Sequence, residues 1–172
     1  INLFDFRENI KGKHSFLLNY ERFHKVFHYL NVLKKKNLTN PKILDVGAFP
    51  GGMVSLSKEI FKNIENYYAV GLDLNKTFIE TMHQHNVKCI DTEIDPTFPE
   101  PKKVLDWNLK NLDICFLLDT IEHLVDPIFC LDQINKSLKI EGYLLLTTDN
   151  ITNFLYIADM IKKGRSPNVP PI

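Results

Sequence analysis

Net charge is the first thing this sequence lacks. Lysine and arginine together number 21 and so do aspartate and glutamate, a formal balance of zero over 172 residues. That leaves no global electrostatic grip on nucleic acid. Cysteine is scarce. Cys89, Cys115 and Cys130 form an odd set without CxxC spacing. A disulfide framework or a zinc site is therefore not expected, and a reducing cytoplasm is the compartment that fits. No apolar run reaches the roughly 18 residues needed to span a bilayer, and no signal-peptide pattern opens the sequence. Internal repeats and low-complexity segments are missing as well. What is present is a hydrophobic content of 44% in a chain long enough for one domain with its own core.

The pattern along the chain alternates between strand-like and helix-like segments. Ser15 to about Lys36 reads as a helix, with Phe16, Tyr20, Phe23, Phe27, Leu30 and Leu33 on one face and Lys34-Lys35-Lys36 at the end that favours cations. Strands are expected at Lys42–Val46, Tyr68–Leu72, Val87–Ile90, Leu112–Leu118 and Tyr143–Thr148. Helices are expected at Gly52–Phe61, from Asn75 or Thr77 to about His85, from Pro127 to about Lys139, and at Phe154–Lys163. Asp126-Pro127 has the form of an N-cap followed by proline at the first helical position. Pro96, Pro99 and Pro101 make Asp95–Lys103 a loop, and Glu141-Gly142 reads as a turn. Alternation of this kind predicts an α/β fold, a doubly wound, mostly parallel, Rossmann-like sheet. The near-continuous apolar strands agree, because both faces of such a sheet are covered. The divisions expected are a helical cap at residues 1–40, a ligand-binding core at 41–153, and a helix and tail at 154–172 that reads as truncated.

Ligands of open α/β sheets bind beyond the carboxyl ends of the strands. That edge is rich in carboxylates here: Asp45, Asp73, Asp91, Asp119 and Asp149 each stand at or near a strand end. Any one of them also fits a turn or a helix cap. The turn after the first strand is Gly47-Ala-Phe-Pro-Gly51-Gly52. It has neither the G-x-G-x-x-G of a dinucleotide site nor the G-x-x-x-x-G-K-[ST] of a triphosphate loop. A ligand without phosphates, carrying an amino-acid end and a ribose, fits better. Nicotinamide-dependent oxidoreduction is not expected.

Together these stretches resemble the class I S-adenosylmethionine-dependent methyltransferases, of the small-molecule methyltransferase-domain type. Ile43-Leu-Asp45-Val-Gly47-Ala-Phe-Pro-Gly51 is similar to their first motif, D/E-x-G-x-G-x-G. Val70-Gly-Leu-Asp73-Leu-Asn75 is similar to their ribose-binding strand end. Phe116-Leu-Leu-Asp119-Thr-Ile-Glu122-His123-Leu124 is similar to S-E-V-I-E-H-L after the fourth strand, and Leu138 to Asn150 to L-K-P-G-G-x-L-x-x-S-x-P-N. The likeness covers roughly residues 40–150. Phe49 departs from it, standing where the first motif has its middle glycine. No pair of strands is legible after Asn153, where the family has an antiparallel pair.

The resemblance implies S-adenosyl-L-methionine as cofactor. Asp45, Gly47 and Gly51 would lie at its methionine end, and Asp73 at the ribose hydroxyls with Leu74 against the adenine. Asp91 and Thr92 would stand at the adenine amine, and Leu118 and Asp119 near the sulfonium. His123 is the candidate general base, because neutral imidazole takes protons near pH 7. It is also readable as a residue that bridges backbone or packs beneath the cofactor. Asp119-x-x-Glu122-His123 is also similar to the metal-binding run of small-RNA 2′-O-methyltransferases. His123 is the last histidine of the chain, so no metal is expected. Trp107, Phe98 and Phe49 are candidates for an acceptor pocket, and the first helix for a lid. The acceptor expected is a small molecule or carbohydrate, methylated on oxygen, with no nucleic acid and no membrane involved. The alternative is a catalytically inert domain of this fold that binds the cofactor or a partner protein.

Overall fold

The structure, a computed structural model, describes residues 13–48, 52–70, 76–84, 86–89, 108–124, 126–148 and 161–162. For residues 13–23, 55, 76–78 and 81 it describes the backbone alone. Helix α1 (Lys13–Lys35) leads into β1 (Lys42–Val46), α2 (Gly52–Ile60), β2 (Asn66–Val70), α3 (Lys76–Gln84) and β3 (Lys88–Cys89). Strand β4 (Leu112–Leu118), a short 3₁₀ turn (Ile121–His123), α4 (Pro127–Ser137) and β5 (Leu138–Thr147) follow. The strands form one sheet in the order β3-β2-β1-β4-β5, and every pairing is parallel. The order runs outward from β1 in one direction and resumes at β4 in the other. The switch point expected of a doubly wound sheet therefore lies between β1 and β4.

Alternation along the strands sorts the core into two layers. Ile43, Tyr67, Ala69, Ile114 and Phe116 pack with Val26, Leu30 and Leu33 of α1, with Met53, Val54, Leu56 and Ile60 of α2, and with Met82 of α3. Leu44, Val46, Val70, Leu112, Cys115 and Leu117 pack on the other face, with Cys130 and Ile134 of α4. A side chain sealed as Phe116 is contributes about 1.5–3 kcal/mol. The three cysteines are free thiols, and burial lifts the Cys115 and Cys130 thiols above their ordinary range, Cys130 to about 11.

Helix ends are closed by chemistry that the sequence carries. Asp126 accepts a hydrogen bond from the Phe129 N–H at 2.9 Å, with Pro127 at the first position, as expected. Asparagine ends α1 and α3. Asn37 (φ 65°) and Asn86 (φ 57°) adopt the left-handed conformation. Leu38 N–H then donates back to Leu33 O, and Val87 N–H to Met82 O, which satisfies the last carbonyls of each helix.

Several expectations need correcting. The first helix is under way by Lys13, two residues before the expected start at Ser15, so Ser15 lies within it and not at its cap. Its buried stripe is Val26, Leu30 and Leu33, while Phe27 is 40% exposed. The stripe follows Val26, one position and so about 100° round the helix from Phe27. Strand β2 starts at Asn66, ahead of Tyr68, because its register on β1 pairs Asn66 with Lys42. The Glu141-Gly142 turn lies inside β5 as a bulge: Leu112 pairs Leu138 but Ile114 pairs Tyr143. Ile161 and Lys162 are helical, and the rest of the expected Phe154–Lys163 helix lies outside the described residues. Among the described residues no helix is long and apolar enough to cross a membrane.

Candidate cofactor site at the switch point

Strand β1 ends at Val46 because the next residue turns left-handed. Gly47 has φ +80°, a region that L side chains rarely adopt. Its N–H donates to Val70 O at 2.7 Å, and the Ala48 N–H reaches the same oxygen at 3.2 Å. The turn is thus tied to the last residue of β2. A Cβ on Gly47 would stand 2.0 Å from Thr120 Oγ1 and 2.9 Å from its Cγ2. Glycine is required here both for its φ and for space.

Asp45 lies two residues before that turn and is buried, 3% exposed. The Tyr67 hydroxyl donates to its Oδ2 at 2.8 Å. Burial lifts the carboxyl to about 7, against the opposing effect of that hydrogen bond. Burial, followed by the charge of Asp45, pushes the Tyr67 hydroxyl well above its ordinary range. Asp45 therefore titrates near neutrality rather than standing fully ionised there.

Across the switch point, β4 ends at Leu118 and the chain turns through Asp119, which is left-handed at φ +45°. Thr147 of β5 holds that conformation. The Asp119 N–H donates to Thr147 O at 3.0 Å and to Oγ1 at 3.2 Å. The Thr147 hydroxyl in turn donates to Asp119 Oδ1 at 2.7 Å. Thr120 is buried and reaches Leu118 O at 3.0 Å and Val46 O at 3.3 Å through its hydroxyl. Glu122 and His123 follow, both exposed. The Thr148 hydroxyl lies 3.4 Å from Glu122 Oε2.

Of the residues expected to contact a cofactor, Asp45, Gly47, Leu118 and Asp119 are thus gathered at the carboxyl ends of β1 and β4. Asp45 is set back beneath the turn rather than at the open edge. Gly51, Asp73, Leu74, Asp91 and Thr92 lie outside the described residues, as do Phe49, Phe98, Trp107 and Asp149. Among the described residues no group of three or more His, Cys, Asp or Glu side chains is arranged to hold a metal ion. Tyr67, Thr120 and Thr147 were not singled out from the sequence. Thr120 and Thr147 lie inside stretches that were, so the signal for them was a hydroxyl in an otherwise apolar strand end.

A doubly wound parallel sheet, with a glycine turn and carboxylates at its switch point, defines a Rossmann-like fold. A family model described as "Methyltransferase domain" matches residues 18–169, and the chain belongs to that family. No curated protein matches the chain in sequence. Among solved structures, the plantazolicin methyltransferase BpumL, in complex with a monoazolic desmethylPZN analog and SAH, is similar. It shows 18% identity and a TM-score of 0.59 over 84% of this chain and 51% of that one. The [4+2]-cyclase SpnF is also similar, with 14% identity and a TM-score of 0.51 over 74% of this chain and 44% of that one. The chain therefore spans about half the length of the solved structures it resembles.

Proposed function

We propose that this chain is the cofactor-binding core of an S-adenosylmethionine-dependent methyltransferase acting on a hydroxyl of a small-molecule or carbohydrate acceptor. The observation that carries this reading is the Gly47 turn. In a chain of the methyltransferase-domain family, this turn, whose sequence has no phosphate-loop spacing, stands at the switch point above a buried carboxylate. A sulfonium amino acid is cationic at the sulfur and at the amine. A carboxylate that burial holds near neutrality is drawn to its charged form by such a ligand. The presence of SAH in the similar BpumL structure supports the same ligand.

In this reading Asp45, Gly47 and Gly51 meet the methionine end, and Asp73 accepts from the ribose hydroxyls with Leu74 against the adenine. Asp91 and Thr92 meet the adenine amine, and Leu118 and Asp119 border the sulfur. When bound, the cofactor supplies an electrophilic methyl group. The chain's own residues supply position and a proton acceptor. His123 stands exposed just past the Asp119 turn and takes the acceptor's hydroxyl proton. His123→Asn is expected to lower kcat about 10²-fold or more with cofactor affinity unchanged; equal kcat would remove it from the reaction.

Titration calorimetry with S-adenosylmethionine and with SAH tests the core of the reading. Both are expected to bind, and heat from neither would overturn it. SpnF, a cyclase of similar fold, keeps a second reading in play, because a shared fold does not fix the chemistry. Cofactor binding without transfer of labelled methyl to any hydroxylated acceptor would favour that second reading, a domain that binds the cofactor without transferring its methyl.

A further inference from the structure

We infer that Thr120 is a positioning residue whose hydroxyl sets the Gly47 turn for the amino-acid end of the cofactor. The inference rests on the proposed function, which places that end against Gly47.

The geometry is specific to the switch point. Just beyond Val46 and Leu117, the last paired residues of β1 and β4, the two strands stop sharing a ladder. Something else must hold their ends at a fixed separation. Thr120 stands there, 2% exposed, with its Oγ1 at 3.0 Å from Leu118 O and 3.3 Å from Val46 O. Its one hydroxyl proton is shared between a carbonyl of its own strand and one of β1, across 74 positions of sequence. The same side chain fills the space where any Cβ on Gly47 would go.

The turn is therefore gripped from two sides. Val70 O at the end of β2 takes the Gly47 and Ala48 N–H groups. Thr120 holds the carbonyl of Val46, the peptide that enters the turn. With both grips in place, the Val46 carbonyl on one side and the Gly47 N–H on the other, the Val46–Gly47 peptide plane is held against rotation. Without the hydroxyl, Val46 O keeps its place only through packing, and the turn gains freedom that the ligand must remove on binding. In the proposed function the nucleoside half of the cofactor is assigned to Asp73, Leu74, Asp91 and Thr92 rather than to this turn.

Thr120→Val removes the hydroxyl while keeping the branched shape, so the packing around Gly47 is retained. Calorimetry with SAH and with 5′-methylthioadenosine, which has the nucleoside but no amino-acid end, separates the two halves of the ligand. The Thr120→Val variant is expected to bind SAH about five- to tenfold more weakly, the size of one lost neutral hydrogen bond. Its affinity for methylthioadenosine is expected to match wild type. Thr120→Ser keeps the hydroxyl and is expected to restore SAH binding. Should Thr120→Val not fold, Thr120→Ser against Thr120→Ala makes the same comparison with smaller side chains.

Unchanged SAH affinity in the Thr120→Val variant would overturn the inference and leave the proposed function standing. Equal losses on both ligands would overturn it in favour of a purely structural hydroxyl, and a serine variant as weak as the valine variant would overturn it by assigning the loss to the missing methyl packing rather than to the hydroxyl. Failure of the wild-type chain to bind SAH would overturn the proposed function and this inference with it.

Discussion

Charges close the sheet at the amino-terminal ends of its strands, whereas hydroxyls and left-handed turns shape the carboxyl-terminal ends. At the first edge, the Lys42 N–H donates to Asp113 Oδ2 at 2.7 Å, Lys139 pairs with the same carboxylate, and the Lys42 ammonium lies 3.0 Å from Glu65. At the second edge, Gly47 and Asp119 take positive φ, and Thr120 and Thr147 hold backbone that no ladder holds. Ion pairs tolerate water and small shifts, so they suit an end that only has to stay shut. The Thr120 hydroxyl, bonded to carbonyls, and the Thr147 hydroxyl, bonded to the Asp119 carboxylate, fix the direction of turns, and in the proposed function they suit an end that receives a charged ligand.

The sharpest test of the contrast is Gly47→Ala. It sets a Cβ against Thr120 Oγ1 at a left-handed position, and a loss of about 2–5 kcal/mol of stability is expected, with SAH binding abolished. Urea unfolding and calorimetry read the two effects. A stable variant that still binds would mean the turn is not the constraint described.

Asp45→Asn probes the buried carboxylate through pH. The folded carboxyl sits at about 7 against an ordinary value of 3.8. The folded protein therefore holds a proton that the unfolded chain has lost between those values. Stability from this group is full below the lower value and falls as pH rises, up to about 7. The slope approaches roughly 1.4 kcal/mol per pH unit, for a total of about 4 kcal/mol. Asp45→Asn is expected to flatten that part of the stability curve. Persistence of the slope would assign it to another group.

Asp113→Ala is the control from the opposite edge. It removes an acceptor from the Lys42 N–H and a partner from Lys139, and about 1–3 kcal/mol of stability should go with SAH affinity unchanged. Weaker binding would blur the division between the two ends. The smallest effect is expected at the β5 bulge, where Glu141 holds φ +62°. Glu141→Gly should gain about 1 kcal/mol in thermal unfolding by relieving that conformation; a loss would show that the unfolded chain's added freedom outweighs the relief.

Much of this was legible beforehand because it rests on local rules. Lys42–Val46 and Leu112–Leu118 were bounded as observed, since an apolar run ending in glycine or aspartate marks a buried strand and its exit. The Asp126-Pro127 cap was legible because capping is settled within four residues. Phe27 was misplaced because spacing alone cannot say which of two adjacent stripes meets the core. Asp45 was expected at the open edge, and its burial under Tyr67 depends on the β1–β2 register, which pairs Asp45 with Ala69 and Ile43 with Tyr67.

The sequence by itself determined the alternation of elements, the exits of β1 and β4, and the glycine at residue 47. Each of these is fixed by neighbours a few residues apart, through periodicity, capping and φ preference. Only the tertiary structure decided the strand order, which carboxylate is buried, and which hydroxyls hold the switch point. Tyr67 meets Asp45 across 22 positions, Thr147 meets Asp119 across 28, and Thr120 meets Val46 across 74. Contacts so distant along the chain form only when parallel strands are laid side by side, and no local pattern carries their register.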